Sequence, residues 1–406
     1  MKTTNMRRAL VRHVPALMAA VAVSGAAHAQ VSVDGFARTA TIYKTTGSFD
    51  SAHGTGPTAQ LLQTGDGRFY GTTQYGGAYG QGALFQVDPA TGKTKLLHSF
   101  IQDDTDGFQP IGNLVEGGDG FIYGTTSLGG AYFDGTVYRI SASGGQYQVL
   151  HAFQGGATDG MESDSALVAG ADGNFYGTTA FGGASGQGVV FKMTRNGSVT
   201  LLHSFAGADG EQPQWGLTVG RDGALYGTTN RGGLDDSGTV FRITLAGAFT
   251  TLHSMSPGID GVYPSHLLLA RNGLFYGTTA DGGPSTGGTV FSMSAAGAVT
   301  VLHSFTQGTA GGDSPSWLMQ AADGDLWGVT ENFGSDQLGT LFKMTTAGTF
   351  TTVHVFAPSS VAHPNDGRQP LAPPMQACNG VLYGMTSLGG IPGQPGYGTI
   401  YQVTNP

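Results

Sequence analysis

Two sets of side chains that could bind a ligand or catalyse a reaction occur in the sequence, and the members of each set are 50 or 51 residues apart. The first set holds aromatic rings and the second holds charged or amide groups: Trp215, His266 and Trp317, then Arg231, Asp281 and Asn332, with Glu331 beside the last. Tryptophan offers a flat apolar face, and charged side chains form paired hydrogen bonds with hydroxyl groups. These residue types together suit a sugar ligand.

The same side chains also permit catalysis. His266 could act as a general base and Arg231 could neutralise a uronate, as a polysaccharide lyase requires. Asp281 and Glu331 could instead be the carboxyl pair of a glycoside hydrolase. The sequence has no Ser-His-Asp elbow, HExxH helix, phosphate-binding loop or dinucleotide fingerprint. We therefore rank a binding module for a glycan or cell-surface partner first, an enzyme second, and a protein-interaction scaffold third.

The elements that position these residues come from an internal repeat. The segment Tyr-Gly-Thr-Thr, or an altered form of it, begins at Tyr70, Tyr123, Tyr176, Tyr226, Tyr276, Trp327 and Tyr383. The seven copies lie 50 to 56 residues apart. In each copy Asp-Gly or Asn-Gly precedes this segment, and a glycine-rich loop, a Gly-Thr-Val-Phe-like segment and usually a Leu-His-Ser-Phe-like segment follow it. Asp-Gly between apolar runs predicts a β-hairpin, with positive φ at both turn positions.

Each repeat therefore predicts four short strands, which we label a to d. No segment shows the apolar period of a helix. Four strands in about 50 residues, repeated seven times, predict an all-β fold, a seven-bladed β-propeller of four-stranded antiparallel blades. The last copy lacks strand d, and the unassigned segment 40–49 resembles one. We expect this N-terminal strand to complete the last blade and close the ring, which removes two exposed sheet edges.

The residues present in most copies are expected to be structural. The outer-strand histidines lie in different blades, so they cannot converge on one metal ion, and each should bond within its own blade. The Thr pairs should bond within their blades and the tyrosines should pack. Cys378 is the single cysteine and excludes a disulfide within the chain. We expect it to be a small buried thiol in a strand.

Composition and the N-terminus indicate an exported protein. Residues 1–29 have a basic start, a short apolar run and an Ala-His-Ala cleavage site, and they predict a signal peptide. Residues 30–406 should then form a single propeller domain. Cleavage removes four of the 18 basic residues and leaves 27 acidic ones, a net charge of −13. Such an acidic protein is a poor candidate for nucleic acid. We expect a periplasmic or secreted monomer with no membrane span, metal or cofactor.

The tandem Tyr-Gly-Thr-Thr, Gly-Gly, Gly-Thr-Val-Phe and Leu-His-Ser-Phe segments resemble the GloVer repeat of secreted bacterial proteins, over roughly residues 40–403. The resemblance implies a secreted propeller and no established activity or catalytic residues. Many such proteins carry C-terminal anchors, and we expect none here.

A ring of equal blades becomes a specific site only where the blades differ. Two residues after the loop proline, at the start of strand a, the copies read Ala59, Gly112, Ser165, Trp215, His266, Trp317 and Ala372. Two residues after the Thr pair they read Tyr75, Leu128, Phe181, Arg231, Asp281, Asn332 and Leu388. Both columns change in blades 4 to 6, and the loops concerned share one face. This predicts a site there, unless the repeat has only drifted, with tryptophans plugging the channel and Arg231 paired to Asp281.

Overall fold

The computed structural model describes residues 42–309, 311–332, 338–357, 366–390 and 396–404. The predicted signal peptide lies outside these ranges. The described strands form seven antiparallel sheets arranged as the blades of a propeller, as predicted. No helix in these ranges is long and apolar enough to span a membrane.

The strands occupy four positions in each blade, counted outward from the ring axis. Strands a of blades 1 to 7 are Leu62–Gln63, Val115–Glu116, Val168–Ala169, Leu217–Val219, Leu268–Leu269, Asp313–Gln320 and Met375–Gln376. Strands b are Phe69–Thr73, Phe121–Thr126, Phe175–Thr179, Leu225–Thr229, Phe275–Asp281, Leu326–Asn332 and Leu382–Thr386. Strands c are Ala83–Val87, Thr136–Ser141, Val189–Met193, Thr239–Ile243, Thr286–Met293, Thr340–Met344 and Thr399–Thr404. Strands d are Thr94–Ser99, Tyr147–Ala152, Val199–Ser204, Phe249–Ser254, Val299–Thr306, Phe350–Val355 and, for blade 7, Ile42–Ser48.

The ring closes as the sequence predicts. Strand Ile42–Ser48 pairs antiparallel with Thr399–Thr404, so the first described strand completes the last blade. Tyr43 of this closing strand is buried. Its ring stacks on that of His354, with centroids 3.7 Å apart, and its hydroxyl donates a hydrogen bond to Asp366 at 3.0 Å.

Short ribbons on one face join the loop that precedes strand a to the loop that follows strand b. They are Gly107–Phe108 with Leu128–Gly129, Gly160–Met161 with Phe181–Gly182, Gly367–Arg368 with Leu388–Gly389, and Val262–Pro264 with the end of strand b in blade 5. Single bridges at Thr55–Tyr75 and Glu211–Arg231 do the same in blades 1 and 4. The four-strand pattern did not predict these ribbons, which hold the loops of this face in register.

The core lies between blades rather than within them. Each of seven buried clusters joins residues of two neighbouring blades; Tyr70 and Phe100 of blade 1, for example, pack with Ile122 and Tyr138 of blade 2. The repeated tyrosines pack as predicted. The glycine after each is needed, because a Cβ on Gly177 would come within 2.6 Å of the Phe191 ring.

The hairpin between strands a and b differs from the predicted turn. Gly67 has φ +83°, but Asp66 is not among the residues with positive φ. The Gly67 amide donates to the Thr64 carbonyl at 2.8 Å, and Asp66 accepts from the Arg68 amide at 3.2 Å. This is a type I turn followed by a glycine in the left-handed conformation, so only one position needs positive φ.

Two other expectations need correction. The second threonine of each pair bonds within its blade, as Thr229 does with Thr239 at 2.9 Å. The first bonds to the next blade at Thr125, Thr228 and Thr278, and the hydroxyls of Thr72 and Thr178 have no partner among the described residues. Thr228 donates to the carbonyl of Ser265 at 3.0 Å, because it faces the neighbouring loop. Cys378 is exposed in the hairpin between strands a and b rather than buried in a strand.

Candidate functional site

A cavity of about 220 Å³ lies where loops of six blades converge around the ring axis. Its lining comes from blades 1, 2, 3, 4, 6 and 7 and includes Gln74, Asn113, Asp164, Trp215, Trp317 and Glu331. Three of the residues proposed from the sequence, Trp215, Trp317 and Glu331, meet here although they are far apart in the chain. The cavity is thus on the predicted face, but it extends beyond blades 4 to 6.

His266 lies between the two tryptophans and holds their relative positions. Its Nδ1 lies 2.8 Å from the Trp215 carbonyl oxygen and its ring contacts Trp317 edge-on at 5.4 Å. Its Nε2 lies 3.1 Å from the Thr218 hydroxyl. Burial lowers the pKa of His266, and the bond to the Trp215 carbonyl acts in the opposite direction. Because both ring nitrogens face protein atoms, this histidine is placed to position the site rather than to take a proton from a substrate.

Hydrogen-bonding groups at the cavity are left without partners in the described part of the chain. They are the indole Nε1 of Trp215 and of Trp317, Thr58 Oγ1 and Asp164 Oδ1. A buried indole N–H normally has an acceptor, and buried polar groups without partners are few in folded proteins. Four such groups belong to residues that line one cavity, so a small movement of these side chains would offer three donors and an acceptor to a polar ligand.

Two carboxyl groups of the cavity have shifted pKa values. Burial raises the pKa of Glu331 to about 7. Burial, with a smaller contribution from the charge of Glu162, raises the pKa of Asp164 to about 6. The nearby Ser127 hydroxyl lowers the Asp164 pKa, although Ser127 Oγ does not reach hydrogen-bonding geometry with any described residue. Near neutral pH these groups exchange protons readily, which is the property of a general acid and base.

The polar residues two positions after the Thr pair are placed differently. Arg231 and Asp281 are exposed, and neither lines the cavity. Arg231 lies 3.7 Å from Asp236 and over the Tyr263 ring, so its ion pair is with Asp236. Asp281 accepts from the Gly282 amide at 2.7 Å. The side chain of Asn332 lies outside the described residues.

Strand alternation explains why one column faces the cavity and the next does not. Successive side chains of an extended chain point to opposite sides. Gln74 and Glu331, one residue after the Thr pair, line the cavity, whereas Arg231 and Asp281 are two residues after it. Trp215 and His266 also lie just before strand a, which begins at Leu217 and Leu268, rather than at its start.

Sequence reasoning missed Asp164, Gln74 and Asn113. Asp164 stands one residue after the position of the loop proline. The equivalent residues are Thr58, Ile111, Gln214, Ser265, Ser316 and Leu371. Asp164 is the single charged residue among these seven equivalent positions. A comparison of this position between the repeats would therefore have identified Asp164.

The outer-strand histidines bond to the long loop that follows strand d. His98 Nε2 lies 2.9 Å from Asp106, and the equivalent contacts to aspartate recur at His151, His203, His253 and His354. His98 also stacks on Tyr147 of the next blade at 3.8 Å. The described residues contain no group of three or more His, Cys, Asp or Glu side chains arranged to hold a metal ion.

The sequence matches the profile of the Gloeobacter/Verrucomicrobia repeat over residues 21–170 and 162–401. The chain belongs to this repeat family. None of the curated proteins compared matches it. Among solved structures, it is similar to an oligogalacturonate lyase from Vibrio parahaemolyticus, with 12% identity, a TM-score of 0.54, and 95% of this chain and 98% of the other covered. A candidate 6-phosphogluconolactonase from Bacteroides uniformis has 16% identity, a TM-score of 0.52, and 80% and 94% covered. At these identities the similarity shows the fold alone.

Proposed function

We propose that this repeat protein is an exported binding module that holds a carbohydrate in the axial cavity. The side chains of Trp215 and Trp317 carry the proposal, because two tryptophans line one cavity and the buried indole N–H of each has no hydrogen-bond partner among the described residues. The amides of Gln74 and Gln214 add donors and acceptors to the same lining. A pocket with apolar walls and a few convergent polar groups is the usual form of a small-molecule site.

Tryptophan fluorescence provides a direct test, because the chain contains three tryptophans. Trp327 is fully buried in the core, where the other copies have tyrosine. In Trp327→Tyr the remaining indoles both belong to the cavity, so a bound saccharide should change the emission. Residues 30–406 carrying this change would be titrated with the soluble saccharides that a glycan array identifies.

The matched variants remove the cavity indoles. Trp215→Ala/Trp317→Ala should lose binding on the array at least tenfold while Trp327→Tyr retains it. Trp215→Phe/Trp317→Phe, which keeps flat rings and removes the N–H groups, should give an intermediate loss. Equal binding by the alanine variant, with its circular dichroism unchanged, would refute a site in the cavity.

A second candidate function is hydrolysis of a glycosidic bond, favoured by the two carboxyl groups with raised pKa values. At about pH 6.5 the higher pKa of Glu331 leaves it largely protonated, while Asp164 is largely ionised. Glu331 would donate a proton to the leaving oxygen, and Asp164 would accept one from the water that attacks the anomeric carbon. Both ring nitrogens of His266 face protein atoms, and Arg231 does not line the cavity. These positions favour hydrolysis by Glu331 and Asp164 over a lyase that uses His266 as base and Arg231 to neutralise a uronate.

Product formation separates the two functions. A depolymerisation screen should yield reducing ends with the parent protein and none with Glu331→Gln or Asp164→Asn, while both variants still bind. Binding without any product would leave the protein as a carbohydrate-binding module.

A further inference from the structure

A second surface on the cavity face carries exposed aromatic side chains. Tyr75, Tyr79, Tyr132 and Phe133 are 47%, 58%, 57% and 47% exposed. All four lie in the loops between strands b and c of blades 1 and 2, which are neighbours in the ring. Exposed large aromatic residues grouped in this way mark an interaction site on a soluble protein.

The repeat shows that these rings are not required by the blade. Gly-Gly-Ala-Tyr occurs at residues 76–79 and again at 129–132, so Tyr79 and Tyr132 occupy equivalent positions one-seventh of a turn apart. The equivalent residues in blades 3, 4 and 5 are Ser185, Asp235 and Ser285. The loop folds without an aromatic ring at this position, so folding of the loop does not account for the tyrosines of blades 1 and 2.

The loops hold the backbone of these aromatic residues in place. Tyr75 exchanges two backbone hydrogen bonds with Thr55, at 2.8 and 3.1 Å. The Ala78 amide, next to Tyr79, donates to the Ser99 hydroxyl at 3.0 Å. Phe133 has φ +63°, a conformation that costs a bulky residue energy. An exposed ring on a fixed backbone loses less conformational entropy when a ligand stacks on it than a ring on a mobile loop does.

The aromatic surface lies on the same face as the cavity, in two of the blades that line it. Gln74 of blade 1 lines the cavity, and the loop that carries Tyr75 and Tyr79 follows it. Ile111 and Asn113 of blade 2 also line the cavity. A cavity of about 220 Å³ is smaller than the usual site for a drug-sized ligand. A ligand longer than one or two sugar units must therefore leave it across the face of the ring.

We propose that the ligand is a polysaccharide chain, with one end of its bound segment in the axial cavity and the following sugar units stacked on Tyr79 and Tyr132. This inference rests on the proposed carbohydrate-binding function. Residues 74–82 carry no charge, and Asp134 is the single charged residue in the blade 2 loop, residues 127–135. Aromatic rings with so little charge around them suit the apolar faces of pyranose rings. The two rings, one blade apart, would contact different units of the same chain.

Calorimetry with saccharides of different length tests the proposal. The probes are cello-, xylo-, chito- and galacturono-oligosaccharides, each from the disaccharide to the octasaccharide. The wild-type protein should bind the octasaccharide of one series roughly tenfold more tightly than its disaccharide. Tyr79→Ala/Tyr132→Ala should reduce this preference to about twofold and leave the disaccharide affinity unchanged.

Leu234→Ala is the matched control, since Leu234 is a 90% exposed residue of the same loop in blade 4. It should retain the tenfold preference. A double tyrosine variant that also retains it would overturn the proposal and leave the aromatic surface to a protein partner. Equal loss at both lengths would also overturn it, because the tyrosines would then support the fold or the cavity. A wild-type protein that binds no saccharide at any length would refute the proposed function itself.

Discussion

Glu331 shows what one side chain in the cavity does to stability. Its pKa is raised from 4.5 to about 7 by burial, so the folded protein binds its proton more tightly than the unfolded chain does. Stability must therefore fall as pH rises from about 4.5 to 7, and the full penalty is present above pH 7. We predict that Glu331→Gln raises the free energy of unfolding at pH 8 by about 2 kcal/mol, after a reduction for partial exposure.

Urea unfolding of both proteins at pH 4 and pH 8 measures this effect. The two proteins should differ little at pH 4, where Glu331 is protonated in both folded and unfolded states. A difference of the same size at both pH values would show that shape, rather than charge, sets the effect of the substitution.

At the residue scale, the sequence predicts which types of side chain form the site better than it predicts the direction in which each side chain points. Trp215, Trp317 and Glu331 depart from the repeat and do reach the cavity. Arg231 and Asp281 depart from it equally but are exposed on the ribbons. A shift of one position along an extended chain reverses the side, and the short strands a leave that register open in the sequence.

At the scale of elements, histidine–aspartate contacts tie the outer strands of blades 1, 2, 3, 4 and 6 to the loop that enters the next blade. Asp106 accepts hydrogen bonds from His98 and from the amides of Ile101 and Gly107, and Tyr147 of the next blade donates to it as well. Asp209 has two such donors, His203 and the Ala206 amide, each at 2.8 Å. The Asp106 side chain is 6% exposed and that of Asp209 is 27% exposed.

We predict that Asp106→Ala costs about 3 kcal/mol of unfolding free energy and Asp209→Ala about 1 kcal/mol. The buried site leaves more donors without an acceptor, and water reaches the other site more easily. Chemical unfolding of the two variants measures both values. Equal losses would indicate that the loop, rather than the hydrogen bonds, determines the cost.

The strands were largely predictable, since the Asp-Gly or Asn-Gly pair and the glycine-rich loop of each repeat mark the hairpins. The turn type was not, because Asp-Gly is compatible with several turns and the structure uses a left-handed glycine alone. The ribbons were also missed. They consist of two residues per strand in blades 2, 3 and 7 and of single bridges in blades 1 and 4, which is too short for an alternating pattern to appear in the sequence.

At the scale of the molecule, closure depends on one strand from the opposite end of the chain. Strand Ile42–Ser48 carries Tyr43 into the last blade, where its ring stacks on His354 of the neighbouring blade 6. Tyr147 of blade 2 makes the same kind of contact with His98 of blade 1. Its strand directly follows the other three strands of its own blade in the sequence, whereas six blades separate Ile42–Ser48 from the other strands of blade 7. The same substitution should therefore have different consequences at the two places.

We predict that Tyr43→Ala exposes the first strand to trypsin at Lys44, which is already on the surface. Loss of a buried ring costs about 4 kcal/mol, and here most of that loss falls on a strand that can detach alone. Mass spectrometry of timed digests should show cleavage after Lys44 at least tenfold faster than in the wild type. Tyr147→Ala should not accelerate this cleavage; if it does, the closing strand is no weaker than the others.

The overall architecture was the most predictable level, because seven copies of a unit and an unpaired strand at each end determine the ring. The convergence of distant residues on the axis was predictable only in part. Asp164 and Glu331 lie three blades apart, and their common cavity depends on loop conformations that the repeat does not encode.

The position of the closing strand also bears on how such a chain can change in evolution. Strand d of blade 7 precedes all the other described strands, so the boundary of the coding repeat is displaced from the boundary of the blade. Recombination that inserts or deletes whole repeats leaves both terminal strands intact. A gene of this kind can thus gain or lose a blade while its product keeps the means to close, and the cavity on the axis widens or narrows with the number of blades.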